Sequence, residues 1–143
     1  MNQIHRSAIV PFRSQQMYDL VNDVEGYPMR FAWCADARVV EQGDDFRIAR
    51  LDLRFAGMTQ RFTTRNVLRP SERIEMHLVD GPLQMLEGIF SFTPLGDEGC
   101  QIELDLSFEF KGRLWGRALR MGFQGIANHL MDDFCAEAKR AYG

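Results

Sequence analysis

The sequence is poor in the residues from which most metal and nucleophile sites are built. It has three cysteines and three histidines, and neither type recurs at the short spacing of metal ligands. Cys34, Cys100 and Cys135 are odd in number and far apart, which predicts free thiols rather than disulfides. We find no GxSxG, phosphate-binding or dinucleotide-binding glycine motif. We therefore predict no metal site and no required cofactor.

Long apolar runs and an excess of positive charge are also absent. No run approaches the ~20 apolar residues that a membrane-spanning helix needs, and residues 1–6 lack the apolar stretch of a secretion signal. We therefore expect a cytoplasmic protein. The net charge of −3 gives no overall case for binding DNA, because attraction to phosphates needs a positive surface.

The residues that are present predict a single α+β domain over 1–143. A chain of 143 residues, 45% of them hydrophobic, can bury a substantial core. The strongest pattern is at the C-terminal end, where residues 112–142 contain no proline. Apolar side chains recur there every three or four positions, which predicts one long helix. They are Leu119, Phe123, Ile126, Leu130, Phe134 and Ala138.

Alternating apolar and polar residues predict a large sheet before this helix. The predicted strands cover residues 3–10, 37–42, 46–55, 58–68, 73–80, 86–93 and 100–110. Two short helices, one from Ser14 and one over residues 28–34, follow the first strand. Hairpin-length connections imply antiparallel neighbours. The predicted architecture is a curved antiparallel sheet of about six to seven strands wrapped around the C-terminal helix.

A single helix is narrower than this predicted sheet. A helix is about 10–12 Å across, whereas about six or seven strands at ~4.8 Å spacing span roughly 30 Å. Either the inward-facing side chains pack to ordinary density, or an apolar cavity remains; both alternatives stay open. The predicted cavity residues are Phe31, Trp33, Leu51, Leu53, Phe55, Phe62, Met76, Leu78, Leu83, Met85, Phe90, Leu104, Leu106, Phe108, Leu119, Phe123, Ile126 and Leu130.

An aromatic segment follows the first short helix. Tyr27, Pro28, Phe31 and Trp33 lie within seven residues of one another, over 27–33. They would form a gate at the mouth of a cavity, or they would pack as ordinary core residues. The sequence leaves both interpretations open.

A basic cluster stands where the predicted C-terminal helix begins. It consists of Lys111, Arg113, Arg117 and Arg120, and no acidic residue occurs between Phe110 and Met131. The spacing of the arginines predicts one face of the helix. Cations at a helix N-terminus oppose the macrodipole by roughly 0.3–1 kcal/mol each. Contact with phosphates or with an anionic membrane surface is therefore the alternative to a simple solvated face.

No acid–base pair is placed inside the predicted cavity. Asp105 and Glu109 fall on the outward side of their strand, and Asp132, Asp133 and Glu137 are predicted to lie on the surface. General acid–base catalysis therefore has no candidate residues. We predict a binding protein rather than an enzyme.

Several short segments, taken in order, resemble one known family. They are Tyr18–Val24, Tyr27–Pro28 with Phe31 and Cys34, Phe62–Asn66, Leu78–Leu83, Phe92–Leu95 and Phe108–Phe110. Their order and spacing extend over nearly the whole chain. The chain resembles the family of ribosome association toxins (RatA) and coenzyme Q-binding proteins. This family lies within the START-like, polyketide cyclase/dehydrase-like superfamily.

The resemblance implies a START-like helix-grip fold with a deep hydrophobic cavity for ubiquinone or a related isoprenoid lipid. It also implies a non-enzymatic toxin that binds the large ribosomal subunit and blocks its association with the small one. A small antitoxin protein and transient contact with the inner membrane surface are further implied partners. Two alternatives stay open: a quinone carrier or chaperone for respiration with no ribosomal role, and a polyketide cyclase-like enzyme.

Overall fold

The chain forms one antiparallel sheet and three α-helices in the computed structural model. The structure describes the backbone of residues 1–143 and every side chain except that of Leu114. The order is β1 (Asn2–Val10), α1 (Ser14–Asn22), α2 (Tyr27–Arg30), β2 (Cys34–Gln42), β3 (Phe46–Phe55), β4 (Met58–Arg69), β5 (Arg73–Asp80), β6 (Leu83–Leu95), β7 (Gly99–Phe110) and α3 (Arg117–Tyr142). Short 3-10 turns at Val24–Gly26 and Gly112–Leu114 come before α2 and α3.

The sheet has seven strands in the order β1-β7-β6-β5-β4-β3-β2. Strands β2 to β6 each pair with the next strand in the chain, and β1 pairs with β7. The alternation of β7 shows how one face is covered: Ile102, Leu104, Leu106 and Phe108 are buried, whereas Asp105 is exposed. The predicted α+β helix-grip architecture is confirmed.

Helix α3 supplies much of the cover of the sheet, and the shorter α1 packs over β6 and β7. The buried residues of α3 recur at helical spacing on one side, and its backbone comes close to β1, β3 and β7. The 26-residue helix is about 39 Å long at about 1.5 Å per residue. Among the residues that the structure describes, no helix combines the length and apolar character needed to cross a membrane. Cys34, Cys100 and Cys135 are free thiols.

The long helix begins later than the proline-free stretch of residues 112–142 that predicts it. Gly112 has a φ of +59°, the 3-10 turn follows, and α3 begins only at Arg117. Trp115 explains the delay, because its ring stacks on Phe55 with centroids 5.8 Å apart. Its indole nitrogen also donates to the Pro82 carbonyl at 2.6 Å. Trp115 and Gly116 form the linker between the 3-10 turn and α3, and these tertiary contacts hold it in an extended conformation.

Two other boundaries also differ from the prediction. Cys34 begins β2 instead of ending a helical turn, since Phe31 already has extended backbone angles. Strand β6 runs through Pro94, although proline cannot donate to a ladder. Pro94 is tolerated because β5 pairs with β6 only as far as Ser91, and β7 continues on the other side.

Two glycines of α3 test how closely this helix approaches β3. A Cβ on Gly122 would lie 3.2 Å from Phe55 Cβ, whereas a Cβ on Gly125 would meet nothing within 4 Å. Alanine is favoured over glycine inside a helix by about 0.5–1 kcal/mol. We expect Gly125→Ala to raise the free energy of unfolding by about that amount, and Gly122→Ala to give a smaller gain or a loss. Urea denaturation followed by circular dichroism measures both. Equal gains would contradict the close approach.

Candidate functional site

An apolar cavity of about 110 Å³ lies between α3 and the concave face of the sheet, and it is partly open to solvent. Its walls come from the sheet, from α3 and from the segment between α1 and β2. The lining residues are Val24, Tyr27, Trp33, Leu51, Leu53, Phe62, Thr64, Asn66, Met76, Leu86, Phe90, Leu106, Phe123, Ile126, Ala127, Leu130 and Phe134.

The cavity lies between two aromatic clusters that α3 anchors. Phe123 contacts the first cluster, with ring centroids 5.0 Å from Phe108 and 5.9 Å from Trp115. Phe134 contacts the second, with centroids 5.1 Å from Phe31 and 5.6 Å from Phe90. The two anchors lie about 16 Å apart along the helix, at about 1.5 Å per residue. The small side chain of Ala127 leaves space between them.

The cavity is small for a ligand pocket. Typical pockets measure about 300–1,000 Å³, and this one measures about 110 Å³. An apolar cavity of ~150 Å³ is known to hold benzene, so this one is slightly smaller than the space that one small ring needs. A larger molecule requires lining side chains to move. Met76 is suited to this because methionine is unbranched and adaptable.

More than half of the predicted cavity residues do line the cavity. They are Trp33, Leu51, Leu53, Phe62, Met76, Phe90, Leu106, Phe123, Ile126 and Leu130. The other predicted residues lie outside it: Phe31, Phe55, Leu78, Leu83, Met85, Leu104, Phe108 and Leu119. These eight residues are not part of this cavity wall, and ligand contact stays a prediction for both groups.

Packing and register explain these exceptions. Phe55 and Phe108 fill the core around Trp115 and Phe123, and Phe31 stacks on the far side of Trp33 with centroids 4.9 Å apart. Leu83, Leu104 and Phe108 are fully packed. A register shift between Leu83 and Met85 turns β6, so that Leu86 lines the cavity in place of Met85. Leu78 and Leu119 are half-buried beside it.

The prediction missed two polar lining residues. Thr64 and Asn66 follow Phe62 at steps of two on β4, so alternation alone places them on the inward face. A pattern of apolar side chains alone does not single them out. Thr64 Oγ1 donates to Asn66 Oδ1 at 2.9 Å, and the two residues are 6% and 5% exposed.

The predicted aromatic gate is packed against α3. Tyr27 meets Phe31 edge to face, with centroids 5.4 Å apart, and Phe134 at 5.6 Å. Its hydroxyl donates to the Val21 carbonyl, and burial raises the pKa of the Tyr27 phenol above its ordinary value. Tyr27 and Trp33 therefore both line the cavity and belong to the core.

Two polar contacts, together called the latch here, tie this segment to α3. Trp33 Nε1 donates to Asp133 Oδ2 at 2.9 Å, and Arg30 Nη1 donates to Glu137 Oε1 at 2.8 Å. Glu137 also accepts from Arg140 Nε at 3.0 Å. The hydrogen bond from Arg140 has the largest effect on the pKa of the Glu137 carboxyl, and together with the one from Arg30 it holds this pKa below its ordinary value. The predicted surface position of Glu137 was wrong, since it is only 7% exposed.

The predicted basic cluster does not form one helix face. Arg113 lies in the 3-10 turn before α3, whereas Arg117 is the first residue of α3. Arg120 donates from Nε to the Trp115 carbonyl at 3.0 Å, and its guanidinium lies 5.0 Å from the Phe110 ring centroid. Arg120 therefore fixes the linker. The predicted arginine face was wrong. Lys111, Arg113 and Arg117 are instead exposed along the segment that leads into α3.

These features define a helix-grip domain with an apolar cavity under its C-terminal helix, and solved structures share the fold. The Zhui aromatase/cyclase of Streptomyces sp. R1128 has a TM-score of 0.84 over 97% of this chain and 94% of that chain, at 18% identity. A START superfamily protein from Mycobacterium smegmatis has a TM-score of 0.80 over 97% and 98%, at 21% identity. Both likenesses show the fold alone.

Sequence comparison identifies the family. The polyketide cyclase / dehydrase and lipid transport family matches residues 10–135, so the chain belongs to this family. It is 42% identical to the ribosome association toxin RatA of Pseudomonas aeruginosa, over 98% of this chain and 97% of that protein. RatA of Escherichia coli K12 is also 42% identical, over 99% and 90%. The mitochondrial coenzyme Q-binding protein COQ10 homolog B of Xenopus laevis is 28% identical, over 96% and 58%.

Glu137 gives a pH-dependent prediction for the latch. A carboxyl whose pKa is lowered by folding contributes stability above its unfolded pKa of ~4.3, and loses it as pH falls through the folded-state pKa. We expect Glu137→Gln to lower the free energy of unfolding at neutral pH by about 1–3 kcal/mol, because Arg30 and Arg140 lose the charge of the carboxylate that both contact. The difference from the wild type should shrink in acid. Chemical denaturation at several pH values measures it.

Asp132→Asn is the matched control. Asp132 is on the same helix, and its side chain is 83% exposed, so its replacement should change stability by no more than about 0.5 kcal/mol. An effect of Glu137→Gln that stays the same in acid would contradict a role for the Glu137 charge.

Proposed function

We propose that this protein acts without catalysis on the association of ribosomal subunits, binding the large subunit and preventing its joining with the small one. The observation that carries this proposal is the 42% identity with a ribosome association toxin over 98% of this chain and 97% of that protein. A small antitoxin partner stays a prediction from the resemblance.

The exposed cations at the start of α3 are the proposed ribosome contact. Lys111, Arg113 and Arg117 are exposed, and no acidic residue occurs from 111 to 130. Ribosomal RNA presents phosphates, which arginine and lysine contact irrespective of sequence. Because the net charge is −3, attraction to RNA would depend on this local cluster. The same cations would suit transient contact with an anionic membrane.

A sucrose gradient of ribosomal subunits tests this function. Adding the protein to free subunits should lower the peak of joined ribosomes. Replacing both Arg113 and Arg117 with glutamate should weaken this effect and reduce the salt slope of binding by about 1.5, at ~0.7–0.9 for each lost phosphate contact. The cause is the loss of two cations from the proposed contact.

The control replaces Arg69 and Lys139 with glutamate, which makes the same charge change at exposed positions on β4 and near the end of α3. It should behave as the wild type does. An unchanged gradient with the wild-type protein would reject the ribosomal function. Equal loss in the two double variants would reject the α3 cations as the contact.

The cavity favours a second function, the binding of ubiquinone or a related isoprenoid lipid. Two observations support it: the wall is almost entirely hydrocarbon, and a relative over 96% of this chain is named a coenzyme Q-binding protein. The lining side chains described above include no carboxylate, histidine or cysteine, which supports binding rather than acid–base catalysis. A ring would occupy the existing space, and a tail would extend through the opening or displace side chains.

Filling the cavity tests this second function. Ala127 lines the cavity and is 3% exposed, so Ala127→Leu would place a larger side chain in the ligand's space. We expect affinity for a short-chain ubiquinone to fall about tenfold or more, because overpacking a filled site costs about 1–3 kcal/mol. Quenching of tryptophan fluorescence measures binding, since Trp33 lines the cavity.

Ala118→Leu is the control, because Ala118 is exposed on the same helix. Circular dichroism checks that both variants fold. No saturable quinone binding by the wild type would reject this function. Binding that Ala127→Leu leaves unchanged would place the ligand elsewhere.

A further inference from the structure

A single polar pair interrupts the apolar wall of the cavity. Thr64 and Asn66 face the cavity from β4 and are 6% and 5% exposed. The other polar groups of the lining have partners, since Tyr27 donates to Val21 and Trp33 donates to Asp133. Burying an amide that lacks hydrogen-bond partners costs roughly 1–3 kcal/mol. The position of Asn66 therefore needs a physical reason.

The Asn66 amide keeps an unpaired donor in either orientation of its end group. As placed, its carbonyl oxygen accepts from Thr64 Oγ1 at 2.9 Å, and both N–H groups are left over. With the amide turned by half a rotation, one N–H would donate to the threonine oxygen and the other would be left. Within the described part of the chain, Thr64 is the hydrogen-bond partner found for this amide. At least one N–H of this cavity-lining residue thus has no partner among the described residues.

The sheet holds this donor in a fixed position. Strand β4 lies inside the sheet, and Asn66 pairs with Arg47 of β3 on one side and with Met76 of β5 on the other. The ladder with β5 shifts register between Thr63 and Thr64, a type of irregularity that often re-aims side chains beside a site. Thr64 then orients the amide. A donor positioned in advance loses little freedom when it binds.

We propose that Asn66 donates a hydrogen bond to a ligand oxygen in the cavity, and so selects an apolar ring that carries a carbonyl group over a hydrocarbon ring of the same shape. This inference rests on the proposed apolar-ligand function. Thr64 is a positioning residue for the amide. With a small movement of the lining side chains the cavity would hold one ring, and a quinone ring carries the required acceptor.

Duroquinone and durene are the probes that isolate this hydrogen bond. Both are tetramethyl-substituted six-membered rings of nearly equal size, and only duroquinone carries carbonyl oxygens. Its fully methylated ring has no unsubstituted carbon for the free thiols of the chain to attack. Binding of each probe to the wild type and to Asn66→Leu is measured by titration with nitrogen–proton NMR.

The expected result is a change in relative affinity. The ratio of duroquinone to durene affinity should be about three- to tenfold higher in the wild type than in Asn66→Leu, the net value of one hydrogen bond. Comparing the ratio removes the different solubility of the probes. Thr64→Val should lower this affinity ratio by less than Asn66→Leu does. Durene should still bind Asn66→Leu. In the wild type, duroquinone but not durene should shift the Asn66 side-chain amide resonances downfield.

Three other outcomes would overturn the proposed role of Asn66. An equal ratio in the wild type and Asn66→Leu, with both probes bound, overturns the role of Asn66 and leaves the cavity function standing. If neither probe binds the wild type saturably, the cavity function fails and this inference fails with it. If Asn66→Leu does not fold, the wild-type amide resonances decide, and no shift with bound duroquinone overturns the inference.

Discussion

The structure depends on the mismatch between one helix and a wide sheet. Helix α3 and the shorter α1 together cover one face of a seven-stranded sheet, and a helix about 10–12 Å across cannot fill such a concavity evenly. Phe123 and Phe134 concentrate the packing into two aromatic clusters. Close packing at these two points leaves the region around Ala127 thinly filled. The cavity is thus a consequence of where the large side chains of α3 are placed.

Polar contacts hold α3 over the sheet at both ends. At its start, Trp115 donates to the Pro82 carbonyl and Arg120 donates to the Trp115 carbonyl. Towards its end, Arg30 and Trp33 donate to Glu137 and Asp133. These contacts use directional groups where the hydrophobic packing is incomplete. They keep the helix in register while the middle of the interface stays open.

Features that depend on local spacing were predictable from the sequence. The seven strands and the long helix follow from periods of two and 3.6 residues, and residues such as Leu106 and Ile126 were placed on the cavity wall by the same periods. Features that depend on tertiary contacts were not. The extended linker at Trp115 and the register shift before Met85 change which side chains face inward. Burial of Glu137 depends on Arg30, a residue more than a hundred positions away.

We propose that the space under α3 holds an apolar ligand. The 110 Å³ cavity and its partly open wall are consistent with a ring held beside Asn66 and a tail that leaves the domain. The most direct measurement is extraction of the purified protein with organic solvent, followed by mass spectrometry of the extract. The account predicts a quinone or related lipid in stoichiometric amount. Extracts that contain no such molecule, from protein made in several hosts, would contradict it.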